Sequence, residues 1–385
     1  MKLLIVSPFF PYSKVPHAGG KFTFEIIKEL SKKHDIHLLS RIEPEQVCHK
    51  HEMEAFCSKI DLYSFKTPDE IGVLTIFKII ISYLYLGIKA NRLIKNQGYD
   101  LVHVEHTQAG LLIKKTRHIP SVLMAHDVVT KPAERKYLSS RNIVQKMLNK
   151  LFLNVTKIIE TYISGKFDVI FTLSNKDKQV LLKLNKKFKT AVIPYPLTDI
   201  PLSESSERNE NTILFCGAMN RSVNIEAVKY FVNKVFPLIQ KKIPDSKFYI
   251  VGNNPGPDIY RLAQENANIL VTGFVDDIKP YYLNNSVFVS PLFTGGGIIV
   301  KNLQAMAYGI PVVTTTIGNE GIEAEAEKEV IIANDPVEFA NKVLALLRDA
   351  EYQKRIASNA KNLILKNFTI EAVIKKIESN YKLLL

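Results

Sequence analysis

The chain alternates short uninterrupted apolar runs with longer stretches in which apolar residues return every three or four positions. Leu3-Leu4-Ile5-Val6 is the first such run, and a run with no polar residue on either side of the pleat predicts a strand covered on both faces. A loop carrying Pro8, Pro11, Gly19 and Gly20 follows, after which Phe22, Ile26, Ile27 and Leu30 recur at helical spacing. Further strands are predicted at Ile36–Leu39, Leu101–Val104, Ser121–Met124, Val169–Thr172 and Ala191–Ile193, with helical stretches between most of them. Strands that alternate with helices build a mainly parallel sheet.

The pattern stops at residues 201–211, which are polar and without periodicity, and then restarts. Ile213–Cys216 reads as a strand, Gly217 begins a loop, and Ile225, Val228, Phe231, Val232, Val235 and Ile239 form one helical stripe. From Pro336 the chain reads as helices to its end, with a break at Asn367-Phe368-Thr369. No repeat of 20 to 50 residues is visible, which argues against a solenoid. The expectation is an α/β protein with two Rossmann-like, doubly wound parallel-sheet domains, 1–200 and 212–369, joined by the linker 201–211. Its 385 residues suffice for two cores.

Charge separates the halves. Residues 1–200 carry 31 Lys and Arg against 18 Asp and Glu, whereas the remainder carries 20 of each, so the whole net charge of +13 belongs to the first half. A field of that sign draws anions. No RNA- or DNA-binding signature accompanies it, which leaves an anionic membrane surface or a lipid-phosphate acceptor, or else a basic solvated surface with no particular partner. Residues 71–97 are apolar but interrupted by Lys78 and Lys89, short of what a bilayer span needs. They read as a helix packed on its own sheet or as one lying in a membrane interface with Tyr83 and Tyr85 at headgroup depth. Three cysteines, Cys48, Cys57 and Cys216, form no C-x-x-C pair, against a disulfide framework or zinc site and in favour of a reducing compartment. The N-terminal apolar run is too short for a signal peptide, so a cytoplasmic protein, at most peripheral on the inner face of the membrane, is expected.

In doubly wound sheets, ligands sit beyond the carboxyl ends of the strands, which directs attention to the loops there. Gly19-Gly20 ends the first such loop, Glu105 and His106 end the strand at 101, and His126 follows the strand at 121. The densest cluster is Thr294-Gly295-Gly296-Gly297, ahead of a helix that includes Lys301 and Gln304 and of the strand Val312-Val313. Consecutive glycines let backbone approach a ligand closely, and free N–H groups at a helix start favour an anion such as a diphosphate.

Seven pieces in order carry a resemblance: Ile213-Leu214-Phe215-Cys216-Gly217, Asn224 opening a helix, Phe248-Tyr249-Ile250-Val251-Gly252, Val271-Thr272-Gly273-Phe274-Val275-Asp276-Asp277, Val289-Ser290-Pro291, the Gly295 segment, and Gly318-Asn319-Glu320-Gly321. Over roughly 110 residues the chain resembles the family 4, or group 1, retaining nucleotide-sugar glycosyltransferases. Their fold, GT-B, faces two Rossmann-like domains across a cleft and returns the last helix, here 370–385, to the first domain.

The resemblance implies a donor on the second domain, held by Gly252, Phe274, Gly295, Gly296, Gly297, Lys301, Gln304 and Glu320, with Gly19 and Gly20 beside its diphosphate. It implies His126 against the donor sugar as the catalytic residue, and Glu105 and His106 on the acceptor side. Family members often place an Arg directly after the glycine of the first strand and a Lys six residues on; here these are Ala218 and Asn224. Arg221 and Lys301 are proposed as substitutes. The glutamate pair of many members, with seven residues between, is Gly296 and Gln304 here. Gln304 still has an amide for a ribose hydroxyl, and Glu320 or Glu323 would have to serve the sugar.

The implied reaction moves a hexosyl unit from a nucleoside diphosphate sugar to a hydroxyl of a glycan or lipid-linked acceptor, with retention, in surface polysaccharide or glycolipid synthesis. No Asp-x-Asp lies between apolar strands, so neither a metal nor another cofactor is expected, nor is a nucleic acid partner. The missing glutamate and cation pair keep two alternatives open: a binding module of the same fold without turnover, and a GT-B sugar-nucleotide epimerase.

Overall fold

The computed structural model of the chain describes residues 1–66, 73–116, 118–201, 208–294 and 297–385, with backbone alone for 73–78. They fall into two compact units, Met1–Pro196 with Ile370–Leu385, and Leu197–Thr369.

Among the described residues, the first unit has seven strands: β1 Lys2–Ser7, β2 Asp35–Ile42, β3 Lys59–Ser64, β4 Leu101–Glu105, β5 Ser121–Ala125, β6 Val169–Thr172 and β7 Thr190–Val192. All pairings are parallel, in the order β3-β2-β1-β4-β5-β6-β7. The second unit has six: β8 Thr212–Cys216, β9 Lys247–Val251, β10 Ile269–Gly273, β11 Val287–Ser290, β12 Val312–Thr314 and β13 Ile331–Ile332, in the order β10-β9-β8-β11-β12-β13. Both sheets are thus doubly wound, and each reverses its strand order beside its first strand. The predicted strands lie where expected, their ends within three residues of those observed. The apolar patterning did not announce β3, an edge strand in which Ile60 and Leu62 alternate with Lys59, Asp61 and Tyr63, nor the two-residue β13.

Continuous apolar strands are buried on both faces because helices cover both. In the first unit Leu4, Val6, Val102, Val104 and Leu123 pack with Leu86, Ala90 and Leu93 of the helix Val73–Asn96 and with Ile163 and Phe167. That helix therefore sits on its own sheet. Tyr83 lies under the Arg41 guanidinium, 5.5 Å away, and Tyr85 stacks on Tyr63 at 4.2 Å. In the second unit Ile213, Phe215, Phe231, Phe248 and Phe339 form one cluster. Among the described residues no helix is long and apolar enough to cross a membrane.

The last helix, Ile370–Lys382, packs against the helix Ala18–Leu30 of the first unit. Glu378 binds Lys33 at 3.1 Å and His34 at 3.3 Å, and Tyr381, fully buried, reaches the ring of His103. The second unit begins at Leu197, whose N–H donates to the Phe368 carbonyl at 2.7 Å. Arg208, inside the expected linker 201–211, is instead fixed into this unit. Its guanidinium donates to the carbonyls of Tyr282, Leu283, Asn285, Tyr308 and Gly309 at 2.7 to 3.1 Å.

Arg208→Ala leaves those five carbonyls without their donor. A loss of about 2–4 kcal/mol is expected in the chemical unfolding of the chain, with only partial recovery in Arg208→Lys, which cannot fork across two segments. Unchanged stability would show that water replaces the guanidinium freely.

Candidate active site

Where strand order reverses, the segments leaving neighbouring strands run to opposite faces and leave a crevice at the carboxyl edge. In the second unit this point lies between β8 and β11. Gly217 leaves β8, and Gly252, with φ of +150°, leaves β9 beside it. A Cβ on Gly252 would sit on the Gly217 carbonyl, so only glycine lets these two turns touch. A Cβ on Gly217 would stand 2.7 Å from Lys301 Nζ and 2.8 Å from Asn224 Nδ2, which puts both side chains directly over the bare backbone.

Lys301 belongs to the helix Val300–Ala307, which follows β11 and whose N-cap, Ile299, supplies no side-chain acceptor to its first N–H groups. Lys301 Nζ donates to Asn224 Oδ1 at 2.6 Å and lies 4.2 Å from the Phe215 ring centroid. Asn224 in turn donates from Nδ2 to the Ala218 carbonyl at 2.7 Å, so both ends of its amide serve to aim the lysine. Burial, with a contribution from the charge of Arg221, pulls the Lys301 ammonium down to about 7. Arg221 itself is exposed, at the N-cap of the helix Ser222–Tyr230. The result is two cations and uncapped helical N–H groups around a pair of glycine turns.

The corresponding point of the first unit lies between β1 and β4. His17 caps the helix Ala18–Leu30, its Nδ1 accepting from Gly20 N–H at 3.0 Å. A Cβ on Gly19 would lie 2.8 Å from His106 Cε1 and 3.7 Å from His126 Nδ1. His106, held at φ +66°, stacks its ring on that of His126 with centroids 4.0 Å apart. Such a dihedral in a bulky residue is strained and persists only where packing imposes it; here Phe9 meets the ring edge-on at 5.1 Å.

Behind these rings runs a buried polar chain. His126 Nε2 is 2.5 Å from Glu105 Oε2, Glu105 Oε1 is 3.3 Å from His103 Nε2, and His103 Nδ1 bonds the Tyr381 hydroxyl. Burial pushes the Glu105 carboxyl up to about 7, with His103 and a bond from Thr23 opposing, and pushes His126 down to about 3. Near neutral pH His126 is therefore uncharged and Glu105 is the group that titrates. With its proton, Glu105 donates to Nε2 and the imidazole hydrogen sits on Nδ1; ionised, it accepts from Nε2–H and leaves Nδ1 as an acceptor. Either way Glu105 chooses what the Nδ1 edge, beside Gly19, presents.

The family described as Glycosyl transferases group 1 matches residues 210–349, and Glycosyltransferase Family 4 matches residues 19–197. Together these spans take in Gly19, Gly20, Glu105, His106 and His126 of the first unit and Gly217, Arg221, Asn224, Gly252 and Lys301 of the second. The chain is a group 1 glycosyltransferase of family 4. Over 98% of its length it is 25% identical to an uncharacterized 44.6 kDa protein in the cps region of Klebsiella pneumoniae, of which 98% is covered. It is 24% identical, over 76% of this chain and 78% of the relative, to UDP-Gal:alpha-D-GlcNAc-diphosphoundecaprenol alpha-1,3-galactosyltransferase of Escherichia coli. The solved structure of sucrose-phosphate synthase from Thermosynechococcus elongatus shares its fold, with a TM-score of 0.70 at 16% identity over 100% of this chain and 98% of that one.

In this glycosyltransferase, Gly217, Gly252, Asn224, Arg221 and Lys301 come together on one unit, and Gly19, Gly20, Glu105, His106 and His126 on the other. Gly295 and Gly296 lie outside the described residues; Gly297 has φ of +72°. Gln304 is half-buried one helical turn beyond Lys301, Glu320 is buried, Glu323 is exposed, and Phe274 is 72% exposed at the end of β10. His106 faces Gly19 and His126, and among the described residues its Nε2 has no hydrogen-bond partner. Sequence reasoning missed His17, His103 and Tyr381. A histidine is an uncommon helix cap, and the other two meet only because the chain's last helix returns to β4.

Because the folded Glu105 carboxyl titrates near 7 instead of its ordinary 4.5, its ionisation opposes folding progressively as pH rises through that window and not below it. Glu105→Gln removes the opposition. Relative to the native protein, the variant should gain up to roughly 3 kcal/mol between pH 4.5 and 7.5 in urea titrations. Parallel stability curves would show a carboxyl that ionises normally.

Proposed function

We propose that the enzyme transfers a hexosyl unit from a nucleoside diphosphate sugar to a hydroxyl of a glycan or lipid-linked acceptor, with the anomeric configuration retained and without metal, in surface polysaccharide or glycolipid synthesis. The observation that carries this reading is the Lys301 ammonium, aimed by Asn224 over the Gly217 backbone beside uncapped helical N–H groups. A departing diphosphate needs negative charge stabilised as the sugar–oxygen bond breaks, and preorganised donors in a half-buried site supply that. Lys301, Arg221 and the glycine turns hold the diphosphate, Gln304 meets the ribose, Glu320 is the candidate for the sugar hydroxyls, and no cofactor takes part. His126, kept neutral by burial, hydrogen-bonds the transferred sugar through Nδ1, with Gly19 leaving room for it. The cps-region relative and the diphosphoundecaprenol-dependent one support a polysaccharide or lipid-linked acceptor. The basic first unit suits an enzyme that works against an anionic membrane surface.

Lys301 makes the donor step testable by pH. Its ammonium is lost progressively as pH rises through about 7, whereas a bound diphosphate raises its pKa, so affinity for a nucleoside diphosphate sugar should fall by up to about tenfold per pH unit above that range. Calorimetric titration at pH 6.5 and 8.5 reads this directly. Lys301→Ala weakens binding at the lower pH and flattens the slope; an unaltered slope in that variant would remove Lys301 from the donor site.

His126→Ala is expected to keep the thermal stabilisation by sugar nucleotide, about 2.7 kcal/mol at 100 times the dissociation constant, while losing turnover by about a hundredfold or more. Full transfer by the variant would refute the role given to this residue. Nuclear magnetic resonance of the product's anomeric proton decides retention.

A further inference from the structure

The helix Ile143–Ser164 is built inside out. Its buried residues are Asn149, Leu153, Thr156, Glu160, Ile163 and Ser164, mostly polar. Three of the polar ones are paired there: Asn149 donates to Ser140 Oγ at 2.7 Å, Thr156 to the Phe152 carbonyl at 2.8 Å, and Glu160 accepts from the N–H groups of Val129 and Thr130 at 2.7 and 3.0 Å. The apolar stripe faces out. Val144, Leu148, Leu151, Phe152, Ile158 and Tyr162 are each 55–69% exposed. An outward stripe this long on a helix of about 33 Å far exceeds scattered surface apolar residues.

We infer that this outward face lies in the interfacial layer of an anionic bilayer and docks the glycosyltransferase on the membrane. Charge decides between occupants. Exposed Lys146 and Lys150 and half-buried Lys157 stand on the helix's polar side, and its single acid, Glu160, is buried. Across Thr130–Lys166 the count is eight Lys and Arg against Glu134 and Glu160. A second copy would bring like charge against like charge. The apolar arc is also wider than a two-stranded seam, since Met147, Phe152 and Ile159 flank the row from Val144 to Tyr162 where paired helices place charges. Anionic headgroups complement the lysines while the stripe enters the acyl boundary, the arrangement of helices that lie on membranes without crossing them. The purpose of this docking rests on the lipid-linked acceptor proposed above; the evidence for it does not.

The test uses the full chain without sugar nucleotide, so its result is separate from that of donor binding and transfer. Flotation with phosphatidylcholine vesicles, with and without a third of phosphatidylglycerol, should show binding to the anionic vesicles, weakened at high salt. Leu148→Glu with Leu151→Glu, both exposed, should reduce binding by about tenfold or more while unfolding as the native chain does. Lys146→Glu with Lys150→Glu should reduce binding to anionic vesicles alone. Failure of the native chain to float, equal binding to neutral vesicles, or no effect of the leucine variant would overturn the inference. A dimer in sedimentation that the leucine variant dissociates, with no flotation, would assign the face to self-association instead.

Discussion

A parallel sheet that reverses its strand order cannot cover the gap it creates. The segments leaving the two strands at the reversal turn to opposite faces, and the carboxyl edge between them stays open. Both units of this protein have that order, and both gather their chemistry at that edge. In the second unit the backbones of Gly217 and Gly252 touch, and Lys301 and Asn224 stand above them. In the first, Gly19 brings its helix start against the rings of His106 and His126. The same constraint of connectivity yields a cationic crevice in one unit and a neutral imidazole crevice in the other, because different side chains follow the strands.

The difference matters for the mechanism proposed above, in which Lys301 meets the diphosphate and His126 the sugar. A leaving diphosphate needs charge in place before the bond breaks, and Lys301 is fixed by an amide whose other end is already bonded to backbone. A histidine beside a forming oxocarbenium centre does better uncharged, since a fixed cation there would oppose the developing positive charge. Burial achieves that for His126. The cost is a carboxyl held out of water, which the chain through His103 and Tyr381 partly offsets. The last helix thereby contributes to the setting of a residue far away in sequence.

Fold and site were legible to different depths. Strands such as Leu3–Val6 and Ile213–Cys216 declare themselves because a buried parallel strand has no polar face to interrupt it. Gly217 was legible as a loop start and Gly19 and Gly252 by resemblance alone, whereas the contacts each of them permits were not legible. The helix Ile143–Ser164 defeats periodicity reasoning in an informative way: its apolar stripe is plain in the sequence, and the usual rule would have turned it inward.

The sequence by itself determined the alternation of strand and helix, the two doubly wound units, the glycine positions and the family, since these rest on local patterns of apolar and backbone-permissive residues. Tertiary structure alone decided that Asn224 aims Lys301, that His106 closes on His126, that Tyr381 reaches His103, and that one amphipathic helix turns its oily side outward. Each of these is a contact between residues distant in the chain or a choice of face, and such choices are made by the packing of neighbours that no local pattern encodes.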